Sequence, residues 1–319
     1  MKLESIYRLA IDMGSRKDPR GKVGIEQVLA DAGAERDGMK KEEKAFFDDE
    51  RLTNPFADTR ILHGKPDLQV RKVIAGVDVE TPELLLVDRL RERGRKYDVA
   101  IAHHPEGRAL QGLSEVMSLQ ADVWAAYGVP VNIGDALISE RMKEIWRAIL
   151  PQNHQRPVDA ARLLDIPFMC VHTPADNLVT DHLGRIFKRA RPRLMGDVID
   201  LLLKQEEYRR AARKGMCPAV LVGDKKARAG EILVDMTGGT EGPAAILEKL
   251  AASGVGTMVC MHMGDKIKAE AEKHHVNVVI AGHIASDDIG LNLFFDALEK
   301  KGVTCQGFSG FERYSRIKK

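Results

Sequence analysis

From residue 73 onward the chain alternates between short unbroken apolar runs and longer stretches whose apolar positions recur at helical spacing. VIAGV (73–77) and DVAIA (98–102) are continuous apolar runs, and PELLLVDRLRERG (82–94) lies between them with Pro82 near its start. A strand buried on both faces needs an unbroken run, so this segment reads as a β-α-β unit of a parallel sheet. Similar runs return at FMCV (168–171), AVLVG (219–223), EILVDM (231–236), GTMVCM (256–261) and NVVIAG (277–282). Helical segments separate most of them. The pattern predicts an α/β fold of two α/β halves, with layered sheets flanked by helices. Residues 106–166 interrupt it, because LSEVMSLQADVWAAYG, ALISERMKEIWRAILP and VDAARLLD all carry helical spacing. They read as a helical insertion between the halves.

The first 61 residues look different. IYRLAIDMG and GIEQVLADAG predict short amphipathic helices around the charged turn SRKDPRGK. The dense charge of ERDGMKKEEKAFFDDER predicts a solvated helix or a mobile segment. The expected organisation is an N-terminal helical, charged extension over 1–61 and an α/β core over 62–319 that contains the 106–166 insertion.

Composition narrows the function. Hydrophobic residues are 44% and charged residues 30% of 319 positions, enough for a real core and unlike a disordered chain. Aromatics at 5% argue against a stacking platform for single-stranded nucleic acid. A net charge of +2 gives no global attraction to DNA or an anionic membrane. No apolar run approaches the ~20 residues of a membrane span, and MKLESIYRLAIDMGS has no signal-peptide apolar stretch. Cys170, Cys217, Cys260 and Cys305 are far apart and form no CxxC pair, so neither a zinc knuckle nor a disulfide scaffold is expected. A reducing cytoplasm is the expected compartment.

Candidate chemistry sits at three strand ends, where α/β sheets place their ligand sites. DVAIAHHP puts His103 and His104 directly after an apolar run. Neighbouring histidines in an extended segment point opposite ways, so both serve one centre only if the strand has ended or two metals are present. FMCVHTPADN places His172 after a second run, with Asp176 four residues on. Taken alone, Asp176 or Asn177 reads more readily as the cap of the next helix. NVVIAGHIASDD places His283 after a third run, with Asp287 and Asp288 four and five residues on, and capping by aspartate is again an alternative. Three or four imidazoles with two carboxylates suit a pair of divalent transition metals such as Zn, Mn or Fe.

IAHHP, HTPAD and GHIASD resemble, in order, the HHP, HTNLD and GHxxxE motifs of the Nif-three-like family, some of whose members are described as GTP cyclohydrolase 1 type 2. GVDV (76–79) and ILHGKPDLQVRKV also look like that family's first strand and its lead-in. The resemblance covers about half the chain. It implies a dinuclear metal site held by His103, His104, Asp176, His283 and Asp287, with His172 as a further ligand or as the group that orients Asp176. It also implies a homo-oligomer, hexameric by preference, and metal-assisted hydrolysis of a small molecule, a purine nucleotide such as GTP among the candidates. No membrane partner is expected, and nucleic acid is the lesser alternative. The family's final Glu is Asp here. Its histidine after a GD pair has no clear counterpart, since His262 precedes MGDK and His274 and His275 come late.

Other features are weaker. DMTGGTEGPAAILEKL reads as a tight turn into a helix with Pro243 at its first position, and it lacks the pattern of a nucleotide loop. Asp235 and Glu241 beside it are possible bases. Residues 185–214 hold ten Lys/Arg and four Asp/Glu, read as a solvated face or as an anion-attracting rim. The rim would favour a phosphoesterase acting on nucleotides or oligonucleotides, and a non-enzymatic metal-binding regulator is a further rival. His63, His154 and His182 have no sequence partners and read as surface residues.

Overall fold

The computed structural model describes residues 1–317. Nine strands form two sheets: β1 (Arg60–His63), β2 (Lys72–Gly76), β3 (Val99–Ala102), β4 (Phe168–Cys170), β5 (Ala219–Val222), β6 (Glu231–Asp235), β7 (Val255–Cys260), β8 (Asn277–Ile280) and β9 (Thr304–Gly307). The first sheet has the order β1-β4-β3-β2-β9 and the second β5-β8-β7-β6. Both are parallel except at one edge, where β1 and β5 run antiparallel to their neighbours. The two halves therefore share a plan, and the α/β expectation holds. All seven expected strands form within one or two residues of their predicted bounds. The two edge strands β1 and β9 were not predicted. RILH and TCQG are short and partly exposed, so neither needs a continuous apolar run.

Two helices lie between the sheets: the first site helix, Thr173–Ala190, follows β4, and the second, His283–Glu299, follows β8. Toward the first sheet they present Ala175, Leu178, Leu291, Phe294 and Phe295, packed with Val73, Val99 and Met169. Toward the second sheet they present Val179, Leu183, Ala285 and Ile289, packed with Val234, Val259 and Val279. Such all-round burial explains why the second site helix has apolar or small residues on most of its surface. The outer face of the first sheet is covered by helices Thr81–Glu92 and Arg156–Leu163 through Leu84, Val87 and Ala161. The insertion forms five helices between Gly107 and Leu163. Its Leu119, Val123, Trp124 and Ile138 cover the outer face of the second sheet. The layers thus run helix, sheet, site helices, sheet, helix.

The N-terminal helix Leu3–Arg16 buries Leu3, Ile6 and Ala10 completely in the core that holds the first sheet. At its end a Cβ on Gly14 would lie 2.7 Å from Pro174 Cα, so the helix abuts the start of the first site helix. Helix Gly21–Gly38 is mostly exposed, as its charge requires. The helix after β6 begins at Ile246 rather than at Pro243, so the turn is longer than the sequence implied.

Candidate metal centre

Three chain segments converge on one point. Past the end of β3, His103 N and His104 N still donate to the Gly76 and Val77 carbonyls, both at 2.9 Å, and Pro105 then ends the pairing. His172 lies immediately before the first site helix, and His283 is the first residue of the second. Gly282, at φ 106°, makes the sharp entry that a side chain would strain. In each helix the aspartate four residues on, Asp176 or Asp287, shares the histidine's face. The site helices approach closely: a Cβ on Gly290 would lie 2.4 Å from the Ala175 carbonyl oxygen. That contact brings both His–Asp pairs to one centre.

His103 Nε2 lies 3.4 Å from Asp176 Oδ1 and 3.4 Å from Asp287 Oδ1. On the other side of the same carboxylate, Asp287 Oδ2 lies 3.7 Å from His104 Nε2 and 3.6 Å from His283 Nε2. Those two Nε2 atoms are 3.4 Å apart. His172 Nε2 lies 3.7 Å from Asp176 Oδ2. The six residues form three overlapping groups, with donor atoms within 4.8 Å of one another in each: His103, His104 and His172; His103, Asp176 and Asp287; His104, His283 and Asp287. Two donors held tetrahedrally at ~2.1 Å from one ion stand about 3.4 Å apart, so this spacing fits metal ligands.

The tautomers follow from the surroundings. His103 Nδ1 faces the Val171 carbonyl oxygen at 3.0 Å, His104 Nδ1 faces Asp78 Oδ1 at 2.6 Å, and His172 Nδ1 faces Asp58 Oδ2 at 2.7 Å. Each of those oxygens only accepts, so each Nδ1 carries a proton and donates. In the neutral ring the Nε2 lone pair then points inward. It meets carboxylate oxygens that also lack donors: Asp176 Oδ1 and both Asp287 oxygens are buried without a hydrogen-bond partner. Lone pairs facing lone pairs in a buried site are relieved by a cation between them, a proton or a metal ion, and these donors could hold either.

In the metal-free chain a proton fills part of that role. Burial opposes charge on His103, but Asp287 and Asp176 outweigh it and hold its pKa well above the imidazole value. Burial is likewise overcome at His172 by Asp176 and Asp58. His283 goes the other way, lowered by burial and by its imidazole neighbours. Asp287 is held below the usual carboxylate range, burial being outweighed by His103, His283 and His104. Asp288 does not face this centre. Its Oδ2 accepts from Glu312 N at 3.3 Å, and burial with the charges of Asp287 and Glu207 pushes its pKa up to about 9.

A cleft of about 550 Å³ opens from the cluster. The insertion forms one wall, with Leu113, Asn153, His154 and Arg156 among its residues. The other wall carries Asp235, Thr237, Glu241 and His262. His154 is therefore a cleft residue and not the ordinary surface histidine its sequence suggested. His182 pairs with Gln205, and His63 lies near Asp165, both away from the centre. His262 Nδ1 faces Glu241 Oε1 at 2.9 Å, and its ring centroid is 5.0 Å from that of His283. The insertion also clamps the glycine-rich turn: Gln120 Nε2 donates to the Gly238 and Thr240 carbonyls at 2.6 and 2.7 Å. Asp235 is pushed up to about 6, chiefly by burial and then by Glu241.

Sequence reasoning missed Asp58, which sits in the segment read as an extension and accepts from Thr173 Oγ1 at 2.6 Å as well as from His172. No local signal marks it, since FADT (56–59) carries neither a strand-end histidine nor a His–Asp spacing. The basic stretch 185–214 contributes no residue to the cleft. Part of its charge is paired, Arg185 with Asp181, Arg209 and Arg210 with Glu206, and Lys214 with Glu312.

Fold and cluster together define a two-sheet α/β protein whose central helices carry a buried histidine–carboxylate group able to hold metal. Comparison with protein-family models finds no match, and neither does comparison with curated proteins. Solved structures do match. A NIF3 superfamily protein from Sphaerobacter thermophilus is 28% identical, with a TM-score of 0.69 over 80% of this chain and 92% of that one. Reduced HcgD from Methanocaldococcus jannaschii shares the fold at 14% identity and a TM-score of 0.50, over 84% and 97%. The chain is similar in fold and sequence to that NIF3 superfamily protein, and its three motifs resemble the same family.

Among the described residues no helix is long and apolar enough to cross a membrane.

Proposed function

We propose that the six-residue cluster binds two divalent transition metals and that the cleft beside it is the active site of a metal-dependent hydrolase. One observation carries this reading. Asp287 presents two buried, unpartnered oxygens to two different sets of imidazole Nε2 atoms, His103 on one side and His104 with His283 on the other. That is how a carboxylate shared by two ions is arranged. Asp176 would complete the first set with His172, and His104 and His283 the second. Zn, Mn and Fe all suit such nitrogen–oxygen donors.

When bound, two such ions would supply Lewis acidity and an acidified water. The chain's own residues do the rest. Val171, Asp78 and Asp58 fix three imidazoles in the inward-facing tautomer. His262, held by Glu241, stands at the open side beside His283, where a bound molecule meets the cluster. The insertion closes one wall of the cleft. The family resemblance implies a purine as substrate, a cytoplasmic location and assembly into a homo-oligomer, hexameric by preference; these belong to the proposal. The phosphoesterase alternative rested on the basic stretch, which does not reach the cleft.

The test is metal analysis followed by turnover. Reconstituted protein should carry about two transition metals per chain, and the loaded form should hydrolyse a heterocycle that the metal-free form leaves intact. Metal without turnover across such a panel would favour the regulatory reading.

A further inference from the structure

Resting on the hydrolytic reading, the lining of the cleft points to the kind of molecule it takes. Outside the metal cluster the lining holds, among the described residues, four carboxylates, Glu80, Glu106, Asp235 and Glu241, and a single permanent cation, Arg156. Arg156 is already 3.2 Å from Glu80. With two divalent ions in place and Asp176 and Asp287 coordinating them, the formal balance of the lining is still negative. A phosphate that reached an ion would leave its remaining charges facing carboxylates, without the arginine or lysine clamps that polyphosphates require.

The opposite chemistry is well provided. Glu241 Oε1 is occupied, accepting from His262 Nδ1 at 2.9 Å and Gly264 N at 2.7 Å. Asp235, at the end of β6, has no side-chain hydrogen bond among the described residues, and its electrostatic neighbours are Glu241 and His262. An ionised carboxylate of this kind is an acceptor without a donor, and it sits in the same cleft as the cluster. Leu110, Leu113, Pro157 and Met236 supply apolar surface for a flat ring. The volume of about 550 Å³ suits a small molecule.

We propose that the cleft takes an uncharged or cationic N–H-bearing heterocycle, with Asp235 accepting its N–H group, and that it discriminates against polyphosphates. The experiment is calorimetric binding to the metal-loaded full chain with matched probes: guanosine, adenosine and cytidine, each against its 5′-triphosphate. The expected result is that at least one nucleoside binds about tenfold tighter than its triphosphate, a gap that narrows as salt screens the repulsion. Asp235→Asn should weaken that nucleoside about tenfold, the scale of a lost charge-assisted hydrogen bond, while metal content and circular dichroism stay unchanged. Triphosphates binding as tightly as their nucleosides, no nucleoside binding at all, or an Asp235→Asn variant with unchanged affinity would each overturn the proposal. Preference for a nucleoside without turnover would count against the hydrolytic reading and leave this one standing. Turnover of a triphosphate at full rate would do the reverse.

Discussion

Replacing Gly290 by alanine tests the helix crossing that assembles the site. Inside a helix that change by itself favours folding by about 1 kcal/mol. Here the structure reverses the sign. The added Cβ would lie 2.4 Å from the Ala175 carbonyl oxygen and 2.8 Å from its carbon. The obstacle is backbone, so the site helices must separate by about 1 Å to regain ordinary contact. Overpacking costs roughly 1–3 kcal/mol, and a backbone obstacle places it at the upper end. Subtracting the helical gain leaves a net loss of about 2 kcal/mol. Ala175 adjoins Asp176, and Gly290 lies less than one turn beyond Asp287. The same separation therefore pulls apart the two 3.4 Å approaches to His103. Urea unfolding of the metal-free protein reads the first effect, and metal titration reads the second. A variant more stable than wild type with unchanged metal affinity would refute the crossing.

Asp58→Ala should lower metal affinity about 10–100-fold without removing any ligand, because His172 and Thr173 lose their shared acceptor; competition with a chelator measures it. Asp288→Ala should keep most of the metal, because its carboxyl group faces Glu312 and not the histidines; loss of all metal in this variant would mean the four-residue spacing misplaces the ligand. Asp235 should make stability depend on pH. Its pKa is raised to about 6 in the folded chain against an ordinary aspartate value of 3.8, so folding takes up a proton between those values and stability falls as pH rises from about 4 to 6. Asp235→Asn should remove that slope in the metal-free protein, gaining stability at pH 7.5 and only about a third as much at pH 4.5, as read by urea unfolding at both.

The strands buried on both faces were legible because such burial forces continuous apolar runs, as in VIAGV and NVVIAG. β1 and β9 were not, since an edge strand is satisfied by a mixed pattern. The four histidines were legible because each lies at the end of such a run, Asp176 and Asp287 because each follows its histidine by four residues, and the resemblance to the GHxxxE motif selected Asp287 over Asp288. Asp58 was not legible: it reaches His172 across 114 positions of chain, and nothing local marks it. His154 and His262 acquire their place only when the insertion and the second sheet close around the cluster. The N-terminal helix looked like an addition, yet its apolar stripe of Leu3, Ile6 and Ala10 fills the core of the first sheet.

The central claim is that Asp287 holds two ions at once. Elemental analysis of the reconstituted wild type beside Asp287→Ala tests it most directly, with circular dichroism to confirm that both are folded. The account predicts about two transition metals per chain in the wild type and at most one in the variant. A wild type that holds no transition metal at saturating supply, or an Asp287→Ala variant that keeps both ions, would contradict it.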